Sequence, residues 1–157
     1  MSAADNKKSH YINDKEISFK FDGKKYLGYK GDTIASALLR NNVRLVARSF
    51  KYHRPRGFLG QGSEEPNAIV QIIKDKAKTE PNIRATQIEI FEGFEAKSQN
   101  CWPTVNFDMG EINSIFSPLL PAGFYYKTFM WPAKLWEMYE YFIRKSAGLG
   151  ISPTEND

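Results

Sequence analysis

The sequence predicts an α+β fold in which a small mixed sheet wraps over one helix. Three observations carry that prediction. Ile17, Phe19 and Phe21 alternate with Ser18 and Lys20, and Asp22-Gly23 then supplies the residue pair that a two-residue hairpin turn demands. Ile34, Ala37 and Leu38 stand at the i, i+3, i+4 spacing of one buried helical face. Two later stretches rich in strand formers, Ala68-Ile-Val-Gln-Ile-Ile73 and Thr86-Gln-Ile-Glu-Ile-Phe91, supply further strands. A chain of 157 residues, 41% hydrophobic, can build one ordinary core, or a small domain with an extension.

Taken in order, residues 1–15 are polar without a hydrophobic period and read as a flexible tail. After the first strand and its turn, Lys25-Tyr-Leu-Gly-Tyr29 is the return strand. Gly31-Asp32-Thr33 opens the helix, with Asp32 or Thr33 as N-cap, and Asn41-Asn42 closes it. Val43, Leu45 and Val46 suggest a short buried strand leading into a basic run, where Pro55 blocks regular helix and Gly57 marks a turn. Charged residues and Pro81 lie between the last two β-rich stretches. The order strand, strand, helix, strand, glycine-bearing loop, strand, strand fits the β-grasp arrangement of plant-type ferredoxins better than a bundle or a sandwich. The β-grasp domain is placed at residues 16–93.

Beyond Gly93 the character changes. Trp102-Pro, Ser117-Pro, Leu120-Pro and Trp131-Pro punctuate an aromatic segment over 116–136 that follows neither a strand nor a helix period. So many large aromatics mark an interaction surface. Pro132 starts a short amphipathic helix carrying Leu135, Trp136, Met138, Tyr139, Phe142 and Ile143, and it ends at Arg144-Lys145 ahead of Gly148 and Gly150. Residues 94–157 thus read as an extended, irregular arm with a C-terminal helix.

Composition excludes several classes. The N-terminus lacks an apolar signal region and no apolar run approaches the roughly 18 residues of a span, so the expectation is a cytoplasmic protein without a membrane role. A single cysteine, Cys101, excludes an internal disulfide framework and any cluster held by four cysteines of this chain. The net charge is +4, yet residues 33–63 hold six cations and no acid, so the rest of the chain is slightly acidic. No helix-turn-helix, zinc-finger or RNP-type signature accompanies that basic stretch, which disfavours nucleic acid as a partner.

The stretch from Arg48 to Asn67 is the candidate site. Arg48, Lys51, His53, Arg54 and Arg56 form a basic, aromatic-flanked run, followed by Gly57, Gly60 and Gly62, where a ligand or another backbone can come close. The plainer reading is a solvated face or ion pairs to neighbouring subunits. The sharper one sets some of these cations beside a flavin or dinucleotide phosphate, which a guanidinium can grip through paired hydrogen bonds. His53 reads as a hydrogen-bonding residue before an acid–base catalyst. Glu64 and Glu65 are expected to answer nearby arginines or cap a turn, Cys101 to be an unreactive buried thiol, and Tyr125, Tyr126, Lys127 and Trp131 to pack in a core or interface. No catalytic residue is assigned.

Gly31-Asp-Thr-Ile-Ala-Ser-Ala-Leu-Leu39, Arg48-Ser-Phe-Lys-Tyr-His-Arg-Pro-Arg-Gly57, Gly62-Ser-Glu-Glu-Pro-Asn-Ala68, Ser98-Gln-Asn100 with Trp102-Pro103, and Leu120-Pro-Ala-Gly-Phe-Tyr-Tyr-Lys-Thr-Phe-Met-Trp-Pro132 closely resemble the N-terminal region of heterotetrameric sarcosine oxidase alpha subunits. The resemblance implies a ferredoxin-type β-grasp module and an arm, leading toward a dinucleotide-binding domain whose Gly-x-Gly-x-x-Gly fingerprint this sequence lacks. That domain would belong to the remainder of the alpha subunit or to a separate chain. Related modules in amine and opine dehydrogenases hold a [2Fe–2S] cluster through loop cysteines. The resemblance places Leu59, Glu64 and Asn67 at those positions, and none of them offers a thiolate, so no metal is expected.

For the whole assembly, the resemblance implies FAD in a beta subunit, FMN at the alpha–beta interface, NAD in the alpha subunit and tetrahydrofolate as one-carbon acceptor, with gamma and delta subunits completing a hetero-oligomer. The reaction it implies is oxidative demethylation of sarcosine to glycine, yielding formaldehyde or methylene-tetrahydrofolate and hydrogen peroxide, in one-carbon metabolism. This chain would be a structural and interface module, inactive alone and binding none of those cofactors by itself. The same module in another secondary-amine, opine or proline dehydrogenase complex, and a stand-alone basic β-grasp adaptor, are the alternatives.

Overall fold

The computed structural model describes residues 15–74, 78–115, 133–146 and 150–154. The polar tail and the aromatic group Tyr125, Tyr126, Lys127 and Trp131 lie outside them. The described residues form seven strands: β1 Glu16–Phe21, β2 Lys24–Tyr29, β3 Ala47–Arg48, β4 Pro55–Arg56, β5 Ile69–Ile73, β6 Thr79–Arg84 and β7 Glu95–Ser98. Helix α1 is Ile34–Arg40, α2 is Ile112–Ile115 and α3 is Trp136–Ser146. Five strands form a mixed sheet in the order β2-β1-β7-β5-β6, while β3 and β4 form a separate two-stranded ribbon. Only the central pair β1 and β7 is parallel; the neighbouring pairs are antiparallel. This is the α+β, β-grasp arrangement read from the sequence.

The first hairpin forms for the expected reason. Asp22 and Gly23 take φ of 50° and 74°, the left-handed pair that lets a two-residue turn match strand twist. Phe21 then faces Lys24 across the turn, and Ile17, Phe19 and Phe21 all point into the core. Thr33 caps α1, its hydroxyl accepting from the Ser36 N–H at 3.2 Å. Asp32 is buried and does separate work: its carboxylate accepts from the Tyr29 N–H at 3.0 Å and the Ser36 hydroxyl at 2.8 Å. Ile34, Ala37 and Leu38 bury against Phe19, Phe21, Val70, Ile72 and Ala96 in one hydrophobic cluster.

Three segments depart from the sequence expectation. The stretch from Thr86 to Phe91 is not a strand: a turn carries the Gln87 N–H to the Arg84 carbonyl, and residues 88–90 then pair with the start of α1. There the Ile90 N–H reaches the Asp32 carbonyl and the Ile34 N–H reaches the Ile88 carbonyl, each at 2.9 Å. The alternation of Ile88 and Ile90 reports core-facing side chains, with a helix N-terminus as backbone partner. The strand is instead β6, around Pro81, which an edge strand tolerates because one side of it needs no N–H donor. Residues 43–46 are likewise no strand, and ribbon pairing begins at Ala47.

β7 lies beyond the residue-93 boundary expected from the sequence, and it occupies the middle of the sheet between β1 and β5. Its sequence, Glu-Ala-Lys-Ser, buries only Ala96, too little apolar patterning for a strand to be read locally. Near the far edge, Ile151 docks onto the sheet, its N–H donating to Gln71 and its carbonyl accepting from Gln71 and from the Thr79 hydroxyl. Helix α3 appears where the amphipathic pattern predicts, but Leu135, Met138, Tyr141 and Phe142 are exposed.

The glycine run after the ribbon begins with a close backbone approach. A Cβ on Gly57 would lie 2.5 Å from the Arg44 carbonyl oxygen, whereas one on Gly60 would meet nothing nearer than 3.5 Å. Gly57→Ala therefore has to push the ribbon off the 43–46 segment. It is expected to destabilise the chain by about 2 kcal/mol, and Gly60→Ala by about 0.5 kcal/mol; urea unfolding of the two variants checks the contrast.

Candidate functional site

The basic run is a ribbon with an inside and an outside. β3 and β4 pair through Ala47 with Arg56 and Arg48 with Pro55, and the connection is pinned by the His53 N–H and the Ser49 carbonyl at 2.9 Å. His53 takes φ of 51°, and this left-handed step turns its ring inward. Arg48 and His53 are accordingly only 4% and 2% exposed. Lys51 and Arg54 sit at the tip, both over the Tyr52 ring at 4.9 and 5.1 Å from its centroid, with Phe50 half exposed beside them. Arg54 is exposed and Arg56 half buried. Five residues read as one basic patch thus divide into a buried pair and an outward set.

What holds the buried pair is Asp108, which sequence reasoning did not single out. Its Oδ2 lies 2.6 Å from His53 Nδ1 and 3.9 Å from Arg48 Nε. Its Oδ1 accepts from the Trp102 N–H at 2.9 Å and the Gly110 N–H at 3.1 Å. Arg48 also donates to the Val105 carbonyl and the His53 carbonyl, each at 2.9 Å, and pairs with Glu111 at 3.1 Å. The His53 ring packs flat against Gly110, so closely that a Cβ there would overlap it. The one sequence signal for Asp108 is its place ahead of Met109-Gly-Glu111, where it caps a 3-10 turn. Among the described residues the polar atoms buried here all have partners, and of the cluster's ionisable side chains only Glu111 reaches the surface.

The Ser98-Gln-Asn100 motif is a latch. The Ser98 N–H and hydroxyl both donate to Asp22 of the first turn, at 2.8 and 3.0 Å. Gln99 is buried, accepting from the Asn82 N–H at 2.8 Å and donating to the Asn82 side chain at 3.2 Å, while its carbonyl takes the Arg48 N–H at 3.1 Å. Asn100 donates to the Arg48 carbonyl at 3.1 Å. Three successive polar side chains thereby join the β1–β2 turn, β6 and the basic ribbon.

The loop from Gly57 to Ala68 winds around Glu65. The Glu65 side chain is fully buried and answers backbone N–H groups of the loop, so of the two roles expected for it, arginine partner or turn cap, it takes the second. Oε2 accepts from Leu59 at 2.7 Å and from Gly60, and Oε1 accepts from Asn67 at 2.8 Å and Ala68 at 3.2 Å. Burial pushes this carboxyl up, but the four donors, Gly60, Asn67, Leu59 and Ala68, together outweigh it and hold the group below its ordinary range. A group depressed on folding stabilises above its unfolded pKa and loses that contribution as pH falls through the folded value. Glu64 is exposed, and the Leu59 side chain is 76% exposed. Two anchors fix the loop to the sheet edge: Arg84 Nε donates to the Glu65 carbonyl at 3.1 Å, and the Thr86 hydroxyl to the Gly62 carbonyl at 2.8 Å.

A cleft of about 820 Å³ lies elsewhere, lined by Lys24, Tyr26, Arg44 and Val105 among others. None of Arg48, Lys51, His53, Arg54 or Arg56 lines it. Cys101 is half buried, with its Sγ 3.3 Å from the Ser98 hydroxyl. Burial pushes its thiol up, the Ser98 hydrogen bond partly opposes this, and Asp22 and Asp108 add to the rise.

Residues 14–101 match the family model of a 2Fe-2S iron-sulfur cluster binding domain. The chain is 58% identical over 142 residues to the sarcosine oxidase subunit alpha of Rhizobium meliloti (strain 1021), covering 90% of this chain and 14% of that protein. It is 33% identical over 98 residues to the sarcosine oxidase subunit alpha of Corynebacterium sp. (strain U-96), covering 61% of this chain and 10% of that one. It therefore spans about a seventh or less of the length of these relatives. Among solved structures, L-proline dehydrogenase from P. horikoshii matches with a TM-score of 0.44 at 20% identity, over 60% of this chain and 17% of that one. The donor set does not fit an iron–sulfur cluster. Leu59, Glu64 and Asn67 supply no thiolate, Cys101 lies beside Ser98, and no group of three or more His, Cys, Asp or Glu among the described residues is placed to share a metal.

Asp108→Ala strips the carboxylate from the buried His53 and Arg48 side chains and from the Trp102 and Gly110 N–H groups, and is expected to destabilise the chain by about 3 kcal/mol. Arg54→Ala at the exposed tip should change stability by no more than about 0.5 kcal/mol, and denaturant unfolding of the pair reads the difference. Labelling of Cys101 by a maleimide at pH 8 should run at least about tenfold slower in the folded chain than in urea; equal rates would contradict the shielded, protonated thiol.

Proposed function

The chain belongs to the 2Fe-2S iron-sulfur cluster binding domain family, and from that premise we propose that it is the cluster-free β-grasp module of a sarcosine-oxidase-type alpha subunit. The observation that carries this reading is the 58% identity over 142 residues, which extends well past the sheet into the segment beyond it. The whole protein would oxidise sarcosine to glycine with FAD, FMN, NAD and tetrahydrofolate held outside this chain. The one-carbon unit would leave as formaldehyde or methylene-tetrahydrofolate, and oxygen as hydrogen peroxide. Within it the module works as scaffold and interface, and the segment after the sheet leads toward the NAD-binding domain.

Surface chemistry supports an interface role. Trp102, Phe107, Met109, Ile112 and Ile115 are at least half exposed in one short stretch, and α3 exposes Met138, Tyr141 and Phe142. The ribbon tip offers Lys51 and Arg54 above Tyr52, a rigid cationic knuckle suited to an acidic surface of a neighbouring subunit. Arg48 and His53 support that tip from beneath. A flavin or dinucleotide phosphate would make the same demand on the tip, and the two differ in what its removal releases.

Expression of the chain with a tag in its host, followed by isolation at moderate salt, should yield a yellow complex with flavin absorption and further subunits. The isolated chain supplied with flavin should give no sarcosine-dependent peroxide; turnover by it alone would sink the reading. In the complex, Lys51→Ala with Arg54→Ala should weaken subunit retention in a salt-dependent way. Loss of flavin with all subunits retained would assign the tip to a cofactor phosphate.

A further inference from the structure

Four backbone N–H groups turned toward one buried point make a site for an anion, and left unanswered they would cost several hydrogen bonds' worth of desolvation. In this chain the anion is already present. Glu65 is covalently part of the loop, and each of its carboxylate oxygens serves one side of it. Oε2 grips Leu59 and Gly60, and Oε1 grips Asn67 and Ala68. Leu59 and Asn67 are two of the three positions at which a related module would carry cluster ligands, so the carboxylate joins the same two limbs that a cluster would join. At 59 the N–H points inward to Glu65 while Leu59 itself is 76% exposed.

We infer that Glu65 is a built-in replacement for the cluster, a resident carboxylate that closes the loop and leaves it unable to accept iron and sulfide. The chemistry of the two anions explains what is kept and what is lost. A cluster held by thiolates accepts hydrogen bonds from surrounding N–H groups and also changes oxidation state. A carboxylate can satisfy the N–H groups and has no redox chemistry. The loop therefore retains its shape and its anchors on Arg84 and Thr86, while the module ceases to be a stop on an electron path. Whatever amine the whole protein acts on, this part of it is an insulator.

The test is amide exchange in the full chain, in its complex where one co-purifies, for the wild type, Glu65→Gln and Glu65→Ala. Glutamine keeps one oxygen but turns an NH2 donor toward the other limb. Glu65→Gln should therefore release either the pair 59 and 60 or the pair 67 and 68, exchange there rising roughly tenfold to a hundredfold, with the other pair still protected. Glu65→Ala should release all four, with β1 amides unchanged; if that variant does not fold, the one-sided release in Glu65→Gln carries the test. Anaerobic treatment of the wild type with ferrous iron and sulfide should leave no bound iron after desalting. All four amides remaining protected without the carboxylate, or stoichiometric iron with visible charge-transfer absorption in the wild type, would overturn the inference.

Discussion

The candidate site depends on one constraint: a buried carboxylate in a stretch without a hydrogen-bond ladder must find donors for both of its oxygens. Asp108 does this for the segment beyond the sheet. It draws the Trp102 and Gly110 N–H groups, His53 and Arg48 onto its two oxygens. Because Arg48 also binds the carbonyls of Val105 and His53, the ribbon and the 102–111 segment are held as one body. The ribbon tip stands on this arrangement, and Lys51, Tyr52 and Arg54 sit outside it while Arg48 and His53 are tied inward.

Glu65 solves the same problem by different means. Asp108 draws on side chains as well as backbone, with a guanidinium and an imidazole among its partners. Glu65 takes backbone N–H groups alone, four of them, and has no cation on its carboxylate among the hydrogen bonds and ion pairs of the described residues. Four convergent N–H dipoles stabilise a carboxylate well enough to depress its pKa against the effect of burial. Each of the two carboxylates organises a loop that regular secondary structure does not reach.

How much was legible in the sequence depends on how local each signal is. The Asp22-Gly23 turn, the Thr33 cap, the inward face of β1 and the buried stripe of α1 are fixed by neighbours within four residues, and all are where the pattern puts them. β7 is fixed by strands about 75 and 25 residues away in sequence, pairing Phe21 with Ala96 and Val70 with Ser98, so its own four residues hardly announce it. The segment from Ile88 to Ile90 misleads for the converse reason, since its alternation is real and its partner is a helix end. At the site, the positive run was visible as charge. Its division into inward Arg48 and His53 and outward Lys51 and Arg54 was not, because that depends on a left-handed backbone step and on an aspartate 55 residues beyond His53. Glu65 was legible as a candidate turn cap beside Glu64, but its four N–H donors and its full burial were not, because they depend on how the whole 57–68 loop folds back on itself.

The core and the 57–68 loop are held by different interactions. The core that stabilises the β-grasp lies between α1 and the sheet, among Phe19, Phe21, Ile34, Leu38, Val70 and Ala96, and the 57–68 loop contributes to it mainly through Phe58 and Ala68. A loop without cysteines therefore leaves the hydrophobic core untouched and faces one penalty, that of its buried N–H groups if they went unanswered. A single glutamate removes that penalty, and it needs no cofactor to be loaded before the loop can close. With the loop closed from within, its outer side chains are left at the surface, where Leu59 and Glu64 are exposed.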